Sequence, residues 1–179
     1  MYMGHKSKSN MNKVVDIIQD MIKSNQDILK LISCDDRDVN IYELPNLSRT
    51  EASKVVREKI LTRPKEFADN YQCCYMIMLY GDKGYHHREN NYYSGNTFDF
   101  IILCHNDIIL NKFVGDRVLE IENEIESMFD YSYIDEMSCR CVVSGSIPAG
   151  IKGSNYNGRK VTITFIDKND NMFKRSVIK

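Results

Sequence analysis

Two segments joined by a short bridge set the fold: Phe98-Asp99-Phe100-Ile101-Ile102-Leu103-Cys104-His105-Asn106-Asp107, and Gly115-Asp116-Arg117-Val118-Leu119-Glu120-Ile121-Glu122-Asn123-Glu124-Ile125-Glu126-Ser127-Met128-Phe129. In the first, Phe98, Phe100, Ile102 and Cys104 repeat every second residue, the period of a strand with one face on a core. In the second, Val118, Ile121, Ile125, Met128 and Phe129 recur at three-to-four spacing, and Asp116 is a suitable cap, so a helix opens there.

Upstream, Tyr71, Cys73, Tyr75, Ile77 and Leu79 alternate with Gln72, Cys74, Met76, Met78 and Tyr80. Both sets are largely apolar, which predicts a strand covered on both faces. Between the two strands runs a fifteen-residue polar loop from Gly81 to Gly95, carrying Tyr85, His86, His87, Arg88, Tyr92 and Tyr93. Hairpin loops usually take two to five residues, so a loop this long is expected to serve function.

Towards the N-terminus, Val14, Val15, Ile17, Ile18, Met21, Ile22, Ile28, Leu29 and Ile32 form an amphipathic helical pattern. Ser24-Asn25-Gln26-Asp27 interrupts it as a capping-type S-x-x-D, consistent with two helices or one long one. Ser48-Arg49-Thr50-Glu51 is a capping box for a further helix, with Pro64 beyond its end. Downstream, Cys139 to Ile147 reads as a strand, Pro148 to Gly158 as a Gly- and Asn-rich loop, Val161 to Phe165 as a half-exposed strand and Met172 to Ile178 as a last strand. Regular strand–helix alternation is absent. The expected fold is therefore α+β: a mostly antiparallel sheet of about four to five strands against N-terminal helices and one central amphipathic helix. Its 179 residues fit a single domain, residues 1–179, with 1–10 expected to be flexible.

The composition is that of an ordinary globular protein, 42% hydrophobic and 27% charged, with formal net charge −1. Near-neutrality argues against a nucleic-acid binder working through a global basic field. It is also a poor charge for solubility and favours a subunit of something larger. The total hides a polarity: residues 116–136 hold one Arg against eight acids, for −7, while residues 137–179 hold eight basic residues against two acids, for +6. Such opposed blocks favour head-to-tail contacts between copies.

No apolar run reaches the roughly 18 residues of a membrane span, and the first thirteen residues lack a signal-peptide core. The six cysteines, at 34, 73, 74, 104, 139 and 141, lack the spacing of a structural zinc site and read as reduced core thiols. Gly150-Ile151-Lys152-Gly153-Ser154 lacks the full phosphate-loop spacing and no helix pattern follows it. Asp99, Asp107 and His105 are candidates for a metal-dependent nuclease by position alone. A non-viral protein-binding adaptor that grips its partner with the 81–95 loop is the other alternative. Glu120, Glu122, Glu124 and Glu126 read as an acidic face off the apolar stripe of their helix.

Taken in order, the broken N-terminal helix, Ile60-Leu61-Thr62-Arg63-Pro64-Lys65, a strand, the long loop and the 98–129 strand-to-helix segment resemble the tail-terminator-like head–tail connector (neck ring) proteins of tailed bacteriophages. The likeness runs from about Met11 to Asp167. It implies a virion structural protein made in the bacterial cytoplasm, with no enzymatic activity, no cofactor, no metal and no membrane. It further implies a ring of copies between portal or adaptor and tail, with DNA only as passing cargo. Within that picture Tyr85, His86, His87, Arg88, Tyr92 and Tyr93 are expected to contact neighbouring subunits. The four glutamates are expected to face the DNA channel, where acids would not grip phosphates.

Overall fold

Asn25 divides the N-terminal helical pattern in two. In the computed structural model, which describes residues 6–63, 71–83, 94–137 and 139–167, α1 spans Lys6–Ser24 and α2 spans Gln26–Ser33. The cap of α2 is Asn25, whose side chain accepts from the Ile28 amide at 3.0 Å. Ser24 instead turns back and donates to the Met21 carbonyl at 2.6 Å. An amide side chain one residue nearer the helix reaches its third amide and satisfies one of the orphan donors of the first turn. Residues 6–10 form the first turns of α1.

Ser48 and Glu51 form the capping box that opens α3, Arg49–Lys59. The chain then passes into β1, Ile60–Leu61; Pro64 lies outside the described residues. The remaining elements are β2 (Cys74–Lys83), β3 (Ser94–His105), α4 (Asn106–Ile109), β4 (Leu110–Asn111), β5 (Gly115–Asp116), α5 (Arg117–Phe129), β6 (Tyr133–Ile134), β7 (Cys139–Gly150) and β8 (Tyr156–Asp167). One sheet has the order β1-β2-β3-β8-β7-β6, and β4 and β5 form a separate hairpin. Every pair is antiparallel except β1 with β2. Four long strands flanked by two-residue edges give the α+β architecture the periodicities predict. Among the described residues no helix is long and apolar enough to cross a membrane.

Both connections expected to be long are shorter. Strands β2 and β3 run into the 81–95 segment as far as Lys83 and from Ser94. Tyr85, His86, His87, Arg88, Tyr92 and Tyr93 lie outside the described residues, as does Met172 to Ile178. The Pro148–Gly158 stretch is mostly strand, and only residues 151–155 connect β7 to β8. Its Gly and Pro content has sheet-specific reasons. A Cβ on Gly158 would collide with the Ile102 carbonyl of the adjoining strand, so only glycine allows the strands to approach there. Pro148 pairs with Arg159 on one side. On its other side β7 meets β6 only at Cys139 and Arg140, so Pro148 occupies the edge position at which a missing N–H is tolerated.

The sheet buries both faces near its middle. Met76, Met78, Phe98, Phe100, Ile102, Val161, Ile163 and Phe165 pack against the helices. Phe100 meets Phe129 of α5 at 5.6 Å between ring centroids. On the opposite face Cys73, Tyr75, Ile77, Leu103 and Tyr156 form a smaller buried cluster. Strand β2 is thus covered on both sides, and the adjacent Cys73 and Cys74 fall into different clusters, as strand alternation requires. All six cysteines are free and all but Cys34 are buried.

Candidate functional site

The acids of α5 are largely consumed by the fold. Asp116 accepts from the Val118 and Leu119 amides at 2.9 and 3.3 Å. Arg117, fully buried, donates to the carbonyls of Leu31, Cys34 and Asp36. Its cation thus binds the open carbonyl end of α2, which carries partial negative charge. Glu120 accepts from the Tyr42 hydroxyl at 3.0 Å, and burial, then Glu120 itself, pushes that phenol up to about 12. Glu124 accepts from the Asn25 side chain at 2.9 Å.

Glu122 departs furthest from the expected acidic face. It is 7% exposed, and its carboxylate meets Arg159 of β8 at 2.5 Å, while Arg159 also donates to Ser146 at 3.0 Å. The reason is helical geometry. At 3.6 residues per turn, glutamates two apart lie about 200° apart around the axis. Glu120 and Glu124 share one side; Glu122 falls on the buried stripe of Val118, Ile125 and Phe129.

The nuclease candidates do not converge. On the outer face of β3, Asp99 accepts from Thr162 at 2.7 Å and Lys160 at 3.2 Å. Six residues along the strand, about 20 Å at ~3.3 Å per residue, His105 ends β3. Its Nδ1 accepts from the Asp107 amide at 3.3 Å and its ring stands edge-on to Tyr156. Asp107 lies 3.5 Å from that nitrogen and accepts from Gln72 at 2.8 Å. His105 and Asp107 are therefore neighbours, with Asp99 apart from both. Among the described residues no group of three or more His, Cys, Asp or Glu could hold a metal ion. Residues 151–155 form a turn with Gly153 at φ +81°.

The buried thiols are poor nucleophiles. Burial pushes Cys73 up. Hydrogen bonding to Cys74, then burial, raises Cys104, and Cys139 and burial do the same for Cys141. Tyr156, which donates to the Tyr71 carbonyl and lies 3.4 Å from the Cys73 sulfur, is raised chiefly by burial. Groups held protonated in this way are inert packing elements.

Two surface features escape the sequence patterns. The first is the β4–β5 hairpin, where Leu110 and Phe113 stand 65% and 61% exposed. Single apolar side chains in solvent are common, but here two stand on one short hairpin, and the hairpin is tied down. Buried Asn111 donates to the Val39 carbonyl at 3.0 Å and accepts from the Phe113 and Val114 amides at 2.9 and 3.0 Å. The Lys112 amide donates to the Arg37 carbonyl at 3.0 Å, and the Lys112 ammonium meets Asp38 at 2.7 Å. That bond holds the Asp38 carboxyl below the usual carboxylate range. Beside the hairpin, Asp35, Asp36, Asp38 and Asp107 line a shallow cavity of about 550 Å³.

The second feature is an open groove of about 590 Å³ between α1, α3 and β1. Val56, Ile60 and Leu61 provide its apolar lining, and Lys23, Arg57 and Arg63 its charge, with Asp20 as the acid among them. The one sequence signal for the hairpin is the density of apolar residues between His105 and Gly115 (Ile108, Ile109, Leu110, Phe113 and Val114), which is high for a simple connection. The groove leaves no linear signal, because its walls come from three separate elements.

A family model described as YomW matches residues 25–165, from the cap of α2 to the buried end of β8. Neither the comparison with curated proteins nor that with solved structures returned a match. The matched span holds four of the five α-helices and all of the sheet except Ile166 and Asp167 of β8, so the chain belongs to the YomW family, whose phage-type name points to a phage-associated protein.

Proposed function

We propose that this chain is a virion structural protein, a subunit of the head–tail connector ring that joins portal to tail and surrounds part of the DNA channel. The observation that carries the reading is the tied hairpin holding Leu110 and Phe113 in solvent. A rigid element that displays large apolar side chains is built for contact with another protein. The phage-type family supports the virion setting. The role is non-catalytic: Asp99, His105 and Asp107 serve as internal hydrogen-bond partners, and the thiols nearest to them are held protonated. Copies of the chain, portal or adaptor, and tail proteins are its partners, and DNA passes through without being gripped. Glu120 and Glu124 are the glutamates able to share a channel-facing side; Glu122 belongs to the interior.

Co-production with the portal and tail-tube proteins of the same phage, followed by native mass measurement and electron microscopy, tests this. A closed ring, or stoichiometric capture on the portal, is the expected result. A chain that remains monomeric beside both, and that cleaves DNA with divalent metal unless Asp99→Ala is introduced, would reverse it.

A further inference from the structure

We infer that the β4–β5 hairpin of one copy seats in the α1–α3–β1 groove of the next, making the ring contact heterologous; the inference rests on the ring reading for its second copy and names the surfaces that reading leaves open. Both surfaces combine an apolar centre with charge of one prevailing sign. Leu110 and Phe113 project beside Asp35, Asp36, Asp38 and Asp107, against which Arg37 and Lys112 stand, leaving a net −2. Half-buried Val56 and Leu61 share the groove lining with Lys23, Arg57 and Arg63, against which Asp20 stands, leaving a net +2, while Ile60 beneath them is buried. Nearby internal pairs, Lys59 with Asp35 and Arg57 with Glu58, temper each side by one charge without changing its sign.

The shapes are also complementary. One surface projects from a two-strand hairpin; the other is an open groove with room for two large side chains. No residue is shared between them, so a single subunit can present its hairpin to one neighbour and its groove to another. Contacts of that kind propagate and close into a ring when the rotation allows it. Opposed charge speeds the encounter and sets its register, while burial of the apolar centre supplies the holding energy. The open edge of β7 is the other conspicuous surface, but Pro148 removes an amide there, which opposes strand addition.

The contact is tested with two variants whose changes are confined to exposed side chains: Phe113→Asp on the hairpin, and Arg57→Glu with Arg63→Glu at the groove. Thermal melting at the wild-type temperature establishes that each is folded. Native mass measurement is then made of wild type, of each variant and of their equal mixture, alone and with portal and tail-tube proteins. Wild type is expected to assemble, and each variant alone to lose association by about 100-fold. The mixture is expected to stop at heterodimers, because one intact hairpin then faces one intact groove. Wild-type-like rings from Phe113→Asp, or from the double groove variant, overturn the contact and leave the ring reading standing. Open chains from wild type, with monomeric variants, keep the contact and overturn the ring. Wild type that stays monomeric with both partner proteins overturns the ring reading and the contact with it.

Discussion

Two acidic regions, one on α5 and one at Asp35–Asp38 with Asp107, are treated by the fold in opposite ways. The α5 region is the denser, yet Asp116, Glu120, Glu122 and Glu124 all accept hydrogen bonds or ion pairs from within the chain. The second region has fewer acids, but Asp36, Asp38 and Asp107 are exposed and stand beside two exposed apolar side chains. Charge density along a chain therefore measures surface potential poorly. What counts is which carboxylates keep water on them after folding: Asp38 and Asp107 also have partners within the chain, Lys112 and Gln72, but they remain exposed, whereas Glu122 is buried and Glu120 and Glu124 are partly so.

The comparison breaks most decisively at Arg117. Arg117→Ala removes the cation from three carbonyls and leaves a cavity, with an expected loss of about 3–5 kcal/mol; chemical denaturation measures it, and a loss under 1 kcal/mol would show that the N-terminus of α5 does not hold α2. A smaller effect separates two glutamates of the same helix. Glu122→Ala strands Arg159 and is expected to cost about 2 kcal/mol, less than a fully buried pair because Arg159 keeps some contact with water. Glu126→Ala should stay within about 0.5 kcal/mol. Equal losses in the two variants would return α5 to the status of a uniform solvated face.

The smallest effect sharpens the exposed side. Asp38 has its carboxyl lowered by Lys112, so its contribution is present above the ordinary aspartate value near 4 and is lost as pH falls through the lowered value. Asp38→Asn should therefore sit slightly below wild type in urea midpoint at pH 7 and converge with it in acid, below that lowered value. A gap that persists undiminished in acid would assign the difference to the hairpin backbone instead of the ion pair.

Much of the fold was legible because it depends on local periodicity and local capping. Ser48 with Glu51, Asp116 before α5, and the alternation from Phe98 to Cys104 each specify an element without reference to the rest of the chain. The interruption at Ser24–Asp27 was equally visible, with its cap displaced by one residue to Asn25. Gly158 and Pro148 misled because loop chemistry and edge-strand chemistry use the same residues, and only the neighbouring strand tells them apart. The four glutamates misled because alternate spacing marks a face in a strand and not in a helix.

The candidate site was less legible. The sequence pointed to charge segregation, to thiols in the core and to Asp99 and His105 as residues of note. It could not place Arg159 against Glu122, or Lys160 and Thr162 against Asp99, since those pairings exist only after β8 lies beside β3. By itself the sequence determined the α+β class, the helix starts and which strands bury both faces, because hydrophobic period and capping act over a few residues. Only the tertiary structure decided which charges are spent, that Leu110 and Phe113 stay in water, and that three distant segments form one basic groove, because burial and surface proximity arise from the packing of elements far apart in the chain.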